Sequence, residues 1–367
     1  MKVLRCLSLV LALSVAALVF SSTGTCLLWA MKVSIVTYLI VFGILPLVFH
    51  YSYTIQRKIL FLNFDILVDS VYWPRSVDFE KPEAVGLEGA RNFYVKTDQD
   101  VNIGAWQILP RSLLNASISR TSEAFESVLA SSKRPVILYM HGNSGNRASG
   151  HRLELYRLFQ SLDYHVICFD YRSYGDSDDV DLSETGVVAD SKYMLEWLIK
   201  KVKNSAPIYV WGHSLGTGVA SHVLALMAAE GVHIAGLFLE APFNNIADEL
   251  SEHPFAQLFK HLPWFHWMIV QPFYDNELRF ESDKHITKIE CPIMILHAQD
   301  DGVIPFFLGE KLYKAALESH GNETQRVQME RIDAALGLGH KWICRYEKLP
   351  ELITNFLAKS TKTTQAL

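Results

Sequence analysis

Ile208-Tyr209-Val210-Trp211-Gly212-His213-Ser214-Leu215-Gly216 is the stretch on which the reading of this chain turns. Four apolar residues of strand length run into a glycine-x-serine-x-glycine pentapeptide. Val219 to Ala229 beyond it, rich in Ala, Leu and Met, has the composition of a helix. A strand that turns sharply into a helix at a serine strains that serine's backbone and lifts its hydroxyl above the sheet. Side chains two residues before and two after would collide across such a turn, and Gly212 and Gly216 remove them. Ser214 is therefore predicted to be a nucleophile.

A serine hydroxyl is weakly nucleophilic at neutral pH. It needs a base within hydrogen-bond reach, a carboxylate to orient that base, and donors for the developing oxyanion. With a strand–turn–helix nucleophile the chain order is Ser, acid, His. Downstream, the apolar run Pro292 to His297 leads into Ala298-Gln299-Asp300-Asp301-Gly302-Val303-Ile304-Pro305. Asp301, which precedes the turn that swings the chain away, is the predicted acid. Asp300 is read as solvating the loop or capping a turn. The alternating segment Val327 to Ile332 then reaches the glycine-rich Leu336-Gly337-Leu338-Gly339-His340, and His340 is the predicted base. His320 falls too early, on a polar helix end, and His297 closes the preceding strand.

Oxyanion donors are expected from the amide of the residue after the nucleophile, Leu215, and from a loop after an earlier strand. Val136 to Met140 is that strand and His141-Gly142-Asn143-Ser144-Gly145-Asn146 the loop. Asn143 is the expected second donor, with Ser144 as the alternative. No Gly-Lys-Ser/Thr follows, which argues against a nucleotide site. In Phe169-Asp170-Tyr171-Arg172, the Asp and Arg are read as structural.

From Val136 onward strand candidates (Val136–Met140, His165–Asp170, Ile208–Trp211, Gly236–Glu240, Pro292–His297, Val327–Ile332) alternate with helix candidates (Arg152–Ser161, Asp190–Lys201, Val219–Glu230, Gly309–Glu318, Leu349–Lys359). This is the signature of an α/β domain with a mostly parallel twisted sheet covered by helices on both faces. Phe93-Tyr94-Val95 and Val101 to Leu109 predict a hairpin joining it. Asn143, Ser214, Asp301 and His340 all fall beyond carboxyl ends of strands, where such sheets bind ligands. Residues about 245–288 form a helical cap insertion crowded with aromatics, among them Phe255, Phe259, Trp264, Phe265, Trp267 and Phe273. It reads equally as rings packed on the domain and as a lid lining an acyl pocket. The polar tail after Ala358 is expected to be disordered.

The N-terminal part differs in character. Cys6 to Met31 and Val33 to Gln56 carry no charge, so residues 1–58 read as a membrane-targeting or transmembrane anchor, 59–90 as a juxtamembrane linker and 91–367 as the globular domain. Leu7 to Phe20 resembles the apolar region of a signal peptide, and Val33 to Tyr53 followed by Arg57 and Lys58 resembles a span. One crossing would put the domain in the lumen, two in the cytosol. The sequons at Asn115 and Asn322 favour the lumen. The anchor carries five basic residues and no acid, which leaves −10 for residues 59–367. An acidic domain is a poor ligand for nucleic acid. Only Cys168, Cys291 and Cys344 lie beyond the anchor, in no disulfide or metal-ligand spacing, and no cofactor is expected.

These residues resemble the α/β-hydrolase family from about Arg91 to the C-terminus. More narrowly, Leu60-Phe61-Leu62-Asn63-Phe64, Tyr139-Met140-His141-Gly142-Asn143, Trp211 to Gly218 and His297-Ala298-Gln299-Asp300-Asp301 are similar to a membrane-bound subgroup of that family. The resemblance implies a cofactor-free serine lipase of the endoplasmic reticulum membrane. Its domain would face the lumen or the outside, and its substrates would be lysophosphatidylserine and monoacylglycerols. Ser214, Asp301 and His340 would be its triad. The same triad would also serve an acyl-thioesterase or a peptidase. A non-catalytic binding member of the fold would have lost part of the set. Oligomeric state is left open.

Overall fold

Every apolar run read as a strand joins one eight-stranded sheet, in the order β1-β2-β4-β3-β5-β6-β7-β8. The computed structural model describes residues 24–63, 77–114, 121–254, 256–321, 323 and 326–364. Asn115, Asn322, Phe255 and the Leu7 to Phe20 segment lie outside the described residues. β1 (Ala90–Lys96) and β2 (Asn102–Ile108) form the expected hairpin, with Phe93 opposite Ala105. β2 runs antiparallel to β4 (His165–Phe169). From there β3 (Val136–Met140), β5 (Ile208–His213), β6 (Gly236–Glu240), β7 (Ile293–Ala298) and β8 (Val327–Ile332) pair in parallel. The five strands β3 to β7 are buried along their whole length, which is why their sequences are continuous apolar runs rather than alternations.

The helices in chain order are α1 (Gly24–Leu39), α2 (Leu45–Tyr51), α3 (Tyr53–Phe61), α4 (Ser122–Ser131), α5 (Gly150–Ser161), α6 (Glu184–Val202), α7 (Leu215–Ala229), α8 (Ile246–Glu252), α9 (Gln271–Asp275), α10 (Ser282–Ile286), α11 (Phe306–Ser319) and α12 (Leu349–Thr364). Two cores separate across the sheet. One joins Leu195 of α6, Val219 and Val223 of α7 and Leu312 of α11 to Leu138 and Val210. The other joins Tyr156 and Phe159 of α5 and Phe356 of α12 to Tyr139 and Trp211.

Several boundaries differ from the sequence reading. α7 starts at Leu215, four residues before the expected Val219, because the turn at Ser214 feeds directly into the helix. α6 starts at Glu184 rather than Asp190, since Ser183 Oγ caps it by accepting from Gly186 N at 3.1 Å. α4 has no counterpart among the expected helices, and Thr121 caps it in the same way through Ala124 N at 3.3 Å. The C-terminus, expected to be disordered after Ala358, continues as helix to Thr364. The cap is not a regular helix pair. It holds the short helices α8, α9 and α10, a 3₁₀ turn at Ala256–Leu258 and a π turn at His266–Val270.

α1 and α2 join through a π turn at Ile40–Ile44 into an apolar helix, of which Leu27–Tyr51 is long enough to cross a bilayer. Pro46, lacking an N–H, sits in the first turn of α2, which accounts for the irregular turn before it. This span begins six residues before the expected Val33. The helix lies against the cap: the Phe42 and Phe259 rings are 5.5 Å apart, Phe49 and Phe273 5.7 Å, and His50 Nδ1 lies 3.1 Å from the Trp267 carbonyl. The 58/59 boundary falls inside α3. Gln56, Leu60 and Phe61 of that helix are buried, so it belongs to the packed domain.

Candidate active site

Ser214 is the hinge between β5 and α7, with φ 53° and ψ −120°. A non-glycine residue held there stores on the order of 1–3 kcal/mol of strain. Its amide donates to the Glu240 carbonyl at 2.9 Å. The turn is as tight as the glycines implied. A Cβ on Gly212 would overlap the Gly216 carbonyl, and one on Gly216 would overlap that of Met140. β3 and β5 can therefore close on the nucleophile only with both positions bare.

The structure brings Ser214, His340 and Asp301 together. Asp301 Oδ2 accepts from His340 Nδ1 at 2.7 Å, and His340 Nε2 lies 3.0 Å from Ser214 Oγ. A carboxylate can only accept, so the proton sits on Nδ1 and Nε2 faces the serine hydroxyl as acceptor. Asp301 Oδ1 takes the amides of Val303 and Ile304 at 2.8 and 2.9 Å. Burial alone would raise this carboxyl. The pull of His340 and His297 outweighs it and holds the group below the ordinary carboxylate range.

The His340 loop is fixed from three sides. Asp301 holds the ring. Asp300 Oδ2 accepts from Gly339 N at 3.0 Å, and the His340 carbonyl accepts from His213 Nε2 at 3.0 Å. Asp300 thus ties one loop to another instead of facing solvent or capping a turn of its own, a role that no local sequence signal announces. His297, read as closing the preceding strand, is buried in β7 and donates to the Ile304 carbonyl at 3.1 Å. His320 bonds the Ala316 and Ile289 carbonyls at the end of α11. The pKa values of His141, His151 and His213 are lowered by burial, so none adds positive charge beside His340 at neutral pH.

The loop after β3 lies against Ser214. A Cβ on Gly142 would come 3.1 Å from the Ser214 Cβ. Arg152 donates to the carbonyls of Ser144 and Asn146, both at 2.6 Å. Asn143 is held twice: its Nδ2 donates to the Leu60 carbonyl at 3.2 Å, and its own carbonyl accepts from Tyr174 Oη at 3.0 Å. The Tyr174 hydroxyl also bonds the Phe61 carbonyl. The backbone amides of Leu215 and Asn143 donate no hydrogen bond among the described residues, which leaves them free for an oxyanion. Asp170 and Arg172 are structural as read: Asp170 pairs with Arg147 at 2.6 Å and Arg172 with Asp190 at 2.7 Å.

A cavity of about 480 Å³ opens over Ser214, Leu215 and Asn143. Phe243, Ile246, Phe259 and Phe273 wall it from the cap side, Phe49 and Leu60 from the apolar N-terminal helices. The cap aromatics therefore both pack and line a pocket. Elsewhere Glu184, His222 and His285 bring possible metal-ligand atoms within 4.8 Å of one another. The two imidazoles stack at 3.9 Å with planes 14° apart, so their in-plane lone pairs run side by side instead of converging on an ion. Glu184 uses its other oxygen to accept the amides of Arg279 and Phe280, pinning the cap to α6.

Comparison with known proteins agrees with this geometry. A family model described as the alpha/beta hydrolase family matches residues 137–345. The lysophosphatidylserine lipase ABHD12 of Danio rerio is 37% identical over 331 residues, covering 90% of this chain and 84% of that protein. Its counterpart in Gallus gallus is 40% identical and covers 83% and 77%. Among solved structures, an esterase of Pyrococcus furiosus superposes with a TM-score of 0.55 at 18% identity, over 80% of this chain and 98% of its own, a likeness of fold.

Proposed function

The chain belongs to the α/β-hydrolase family and is an ester-cleaving enzyme of it, and from that premise we propose that it is a membrane-anchored serine lipase acting on lysophospholipids, lysophosphatidylserine foremost, and on monoacylglycerols. The observation that carries this reading is the position of His340, bonded to Asp301 on one side and 3.0 Å from Ser214 Oγ on the other, beneath an apolar cavity. Ser214 attacks the acyl carbonyl while His340 takes its proton. The amides of Leu215 and Asn143 receive the oxyanion. His340 then protonates the departing glycerol oxygen, and water, activated by the same imidazole, releases the fatty acid from the acyl-enzyme. A cavity walled by Phe, Ile and Leu suits an acyl chain better than a peptide, which needs partners for its backbone polar groups.

Leu27–Tyr51 serves as the anchor in this reading, and the domain faces the lumen of the endoplasmic reticulum. Support comes from the exposed apolar surface of that helix and from the two sequons, Asn115 and Asn322. The deciding assay is fatty-acid release from lysophosphatidylserine by the full chain in liposomes. Ser214→Ala should lower kcat by on the order of 10⁶ with an unchanged melting temperature. Near-normal hydrolysis by that variant would sink the assignment. Loss of mass on glycosidase treatment of the cell-made protein reads the side of the membrane, and unmodified Asn115 and Asn322 would oppose the lumenal orientation.

A further inference from the structure

The cap presents to the cavity a helix face with a chemical anomaly. Ile246, Glu249, Leu250 and His253 all line the pocket over Ser214. Their spacing of i, i+3, i+4 and i+7 is that of the inward stripe of an amphipathic helix, where apolar residues belong. Leucine would be the ordinary residue at 249. The start of α8 fixes which residues turn inward. Asn245 Oδ1 caps the helix by accepting from Asp248 N at 2.9 Å, and Asp248 turns outward to Lys311 at 2.7 Å. The next residue, about 100° further round, faces the cavity.

Several other acids of the cap are partnered: Asp248 with Lys311, Glu252 with Lys260, Glu281 with Lys284, Asp283 with Asn245. Glu249 makes no side-chain hydrogen bond or ion pair among the described residues, and it is half-buried, open toward the cavity. Burial, with no opposing charge, lifts its carboxyl to about 7. A carboxyl kept in an apolar pocket without a partner is costly unless something that visits the pocket bonds it.

We propose that Glu249 is a specificity-determining residue of the pocket, accepting a hydrogen bond from an O–H or N–H donor on the polar part of the ester substrate. Two sources fit that chemistry: a glycerol hydroxyl and a head-group ammonium. The inference rests on Ser214 being the nucleophile of the same pocket and adds what selects the ester presented to it.

The test compares full-length wild type, Glu249→Leu and Glu249→Gln in detergent micelles on three esters of one acyl chain. These are a p-nitrophenyl ester without a donor, a monoacylglycerol with hydroxyls alone, and lysophosphatidylserine with hydroxyl and ammonium. In Glu249→Leu the kcat/KM ratio of lysophosphatidylserine to p-nitrophenyl ester should fall about tenfold, the worth of one hydrogen bond, mainly through KM, and the ratio for monoacylglycerol should fall with it when the donor is a hydroxyl but not when it is the ammonium. Glu249→Gln keeps an acceptor oxygen and the side-chain shape. A hydroxyl donor predicts that it preserves the ratios, whereas an ammonium donor predicts a selective loss for lysophosphatidylserine. Ratios equal to wild type in both variants would overturn the proposal. Failure of the underlying reading has its own signature, because p-nitrophenyl ester turnover would then survive Ser214→Ala.

Discussion

The rim of the sheet and the wall that faces it are built in opposite ways. At the rim, Ser214 after β5, Asp301 after β7 and His340 after β8 hang from strand ends and are held by short bonds, with Asp300, His213 and Arg152 bracing the loops between. The opposing wall is made of helices of seven residues or fewer, of a π turn and of aromatic rings, and it leans on an apolar helix exposed along most of its length. The chemistry is preorganised where hydrogen bonds are dense. In the proposed function, selection of the acyl chain would fall to packing that can adjust.

Substitutions that treat the two regions alike would break this contrast. The largest effect is expected at Asp301→Asn. The amide leaves the shape intact but no longer dictates the tautomer of His340, so kcat should fall by on the order of 10⁴ with KM nearly constant. Steady-state kinetics on a soluble ester checks it, and a loss of only a few-fold would mean that the rim is less constrained than its bonds imply. Gly216→Ala comes next. Its methyl would strike the Met140 carbonyl, and because β3 and β5 are tied by their ladder it should cost about 1–3 kcal/mol or more of stability, read as a lower melting temperature. At the wall, Phe259→Ala should be mild. It removes a half-buried ring from the pocket and from Phe42, so KM for long-chain esters should rise several-fold while short-chain esters change little, about 1 kcal/mol at most. A rise equal for both chain lengths would show that the wall does not read the acyl chain.

Legibility in the sequence follows the same division. Ser214 and Asp301 were legible because each lies just past an apolar run of strand length, and His340 because it follows the alternating Val327 to Ile332 in the Ser, acid, His order. Gly212 and Gly216 were readable from sterics alone. The wall was not. α8, α9 and α10 are too short to complete a periodic pattern, and aromatic residues there satisfy a packed core and a pocket lining equally well. The docking of Leu60 and Phe61 onto Asn143 and Tyr174 joins positions more than 80 residues apart, which no local signal encodes. The first turns of α6 and the whole of α4 carry a weak periodic signal although Ser183 and Thr121 mark their starts: Gly186, Val187 and Val188 are poor helix formers, and α4 is short.

The bonds from Asn143 and Tyr174 to the backbone of residues 60 and 61 bear on how a water-soluble version of this enzyme should be cut. A fragment beginning near residue 91 would retain Ser214, Asp301 and His340 yet lose the brace behind Asn143 and one side of the cavity over Ser214. The better incision lies between Tyr51 and Tyr53, where Ser52 breaks the helix with an extended backbone. It would discard the apolar helix Leu27–Tyr51, and with it Phe49 of the pocket wall, while keeping the Leu60 and Phe61 carbonyls that hold Asn143 and Tyr174.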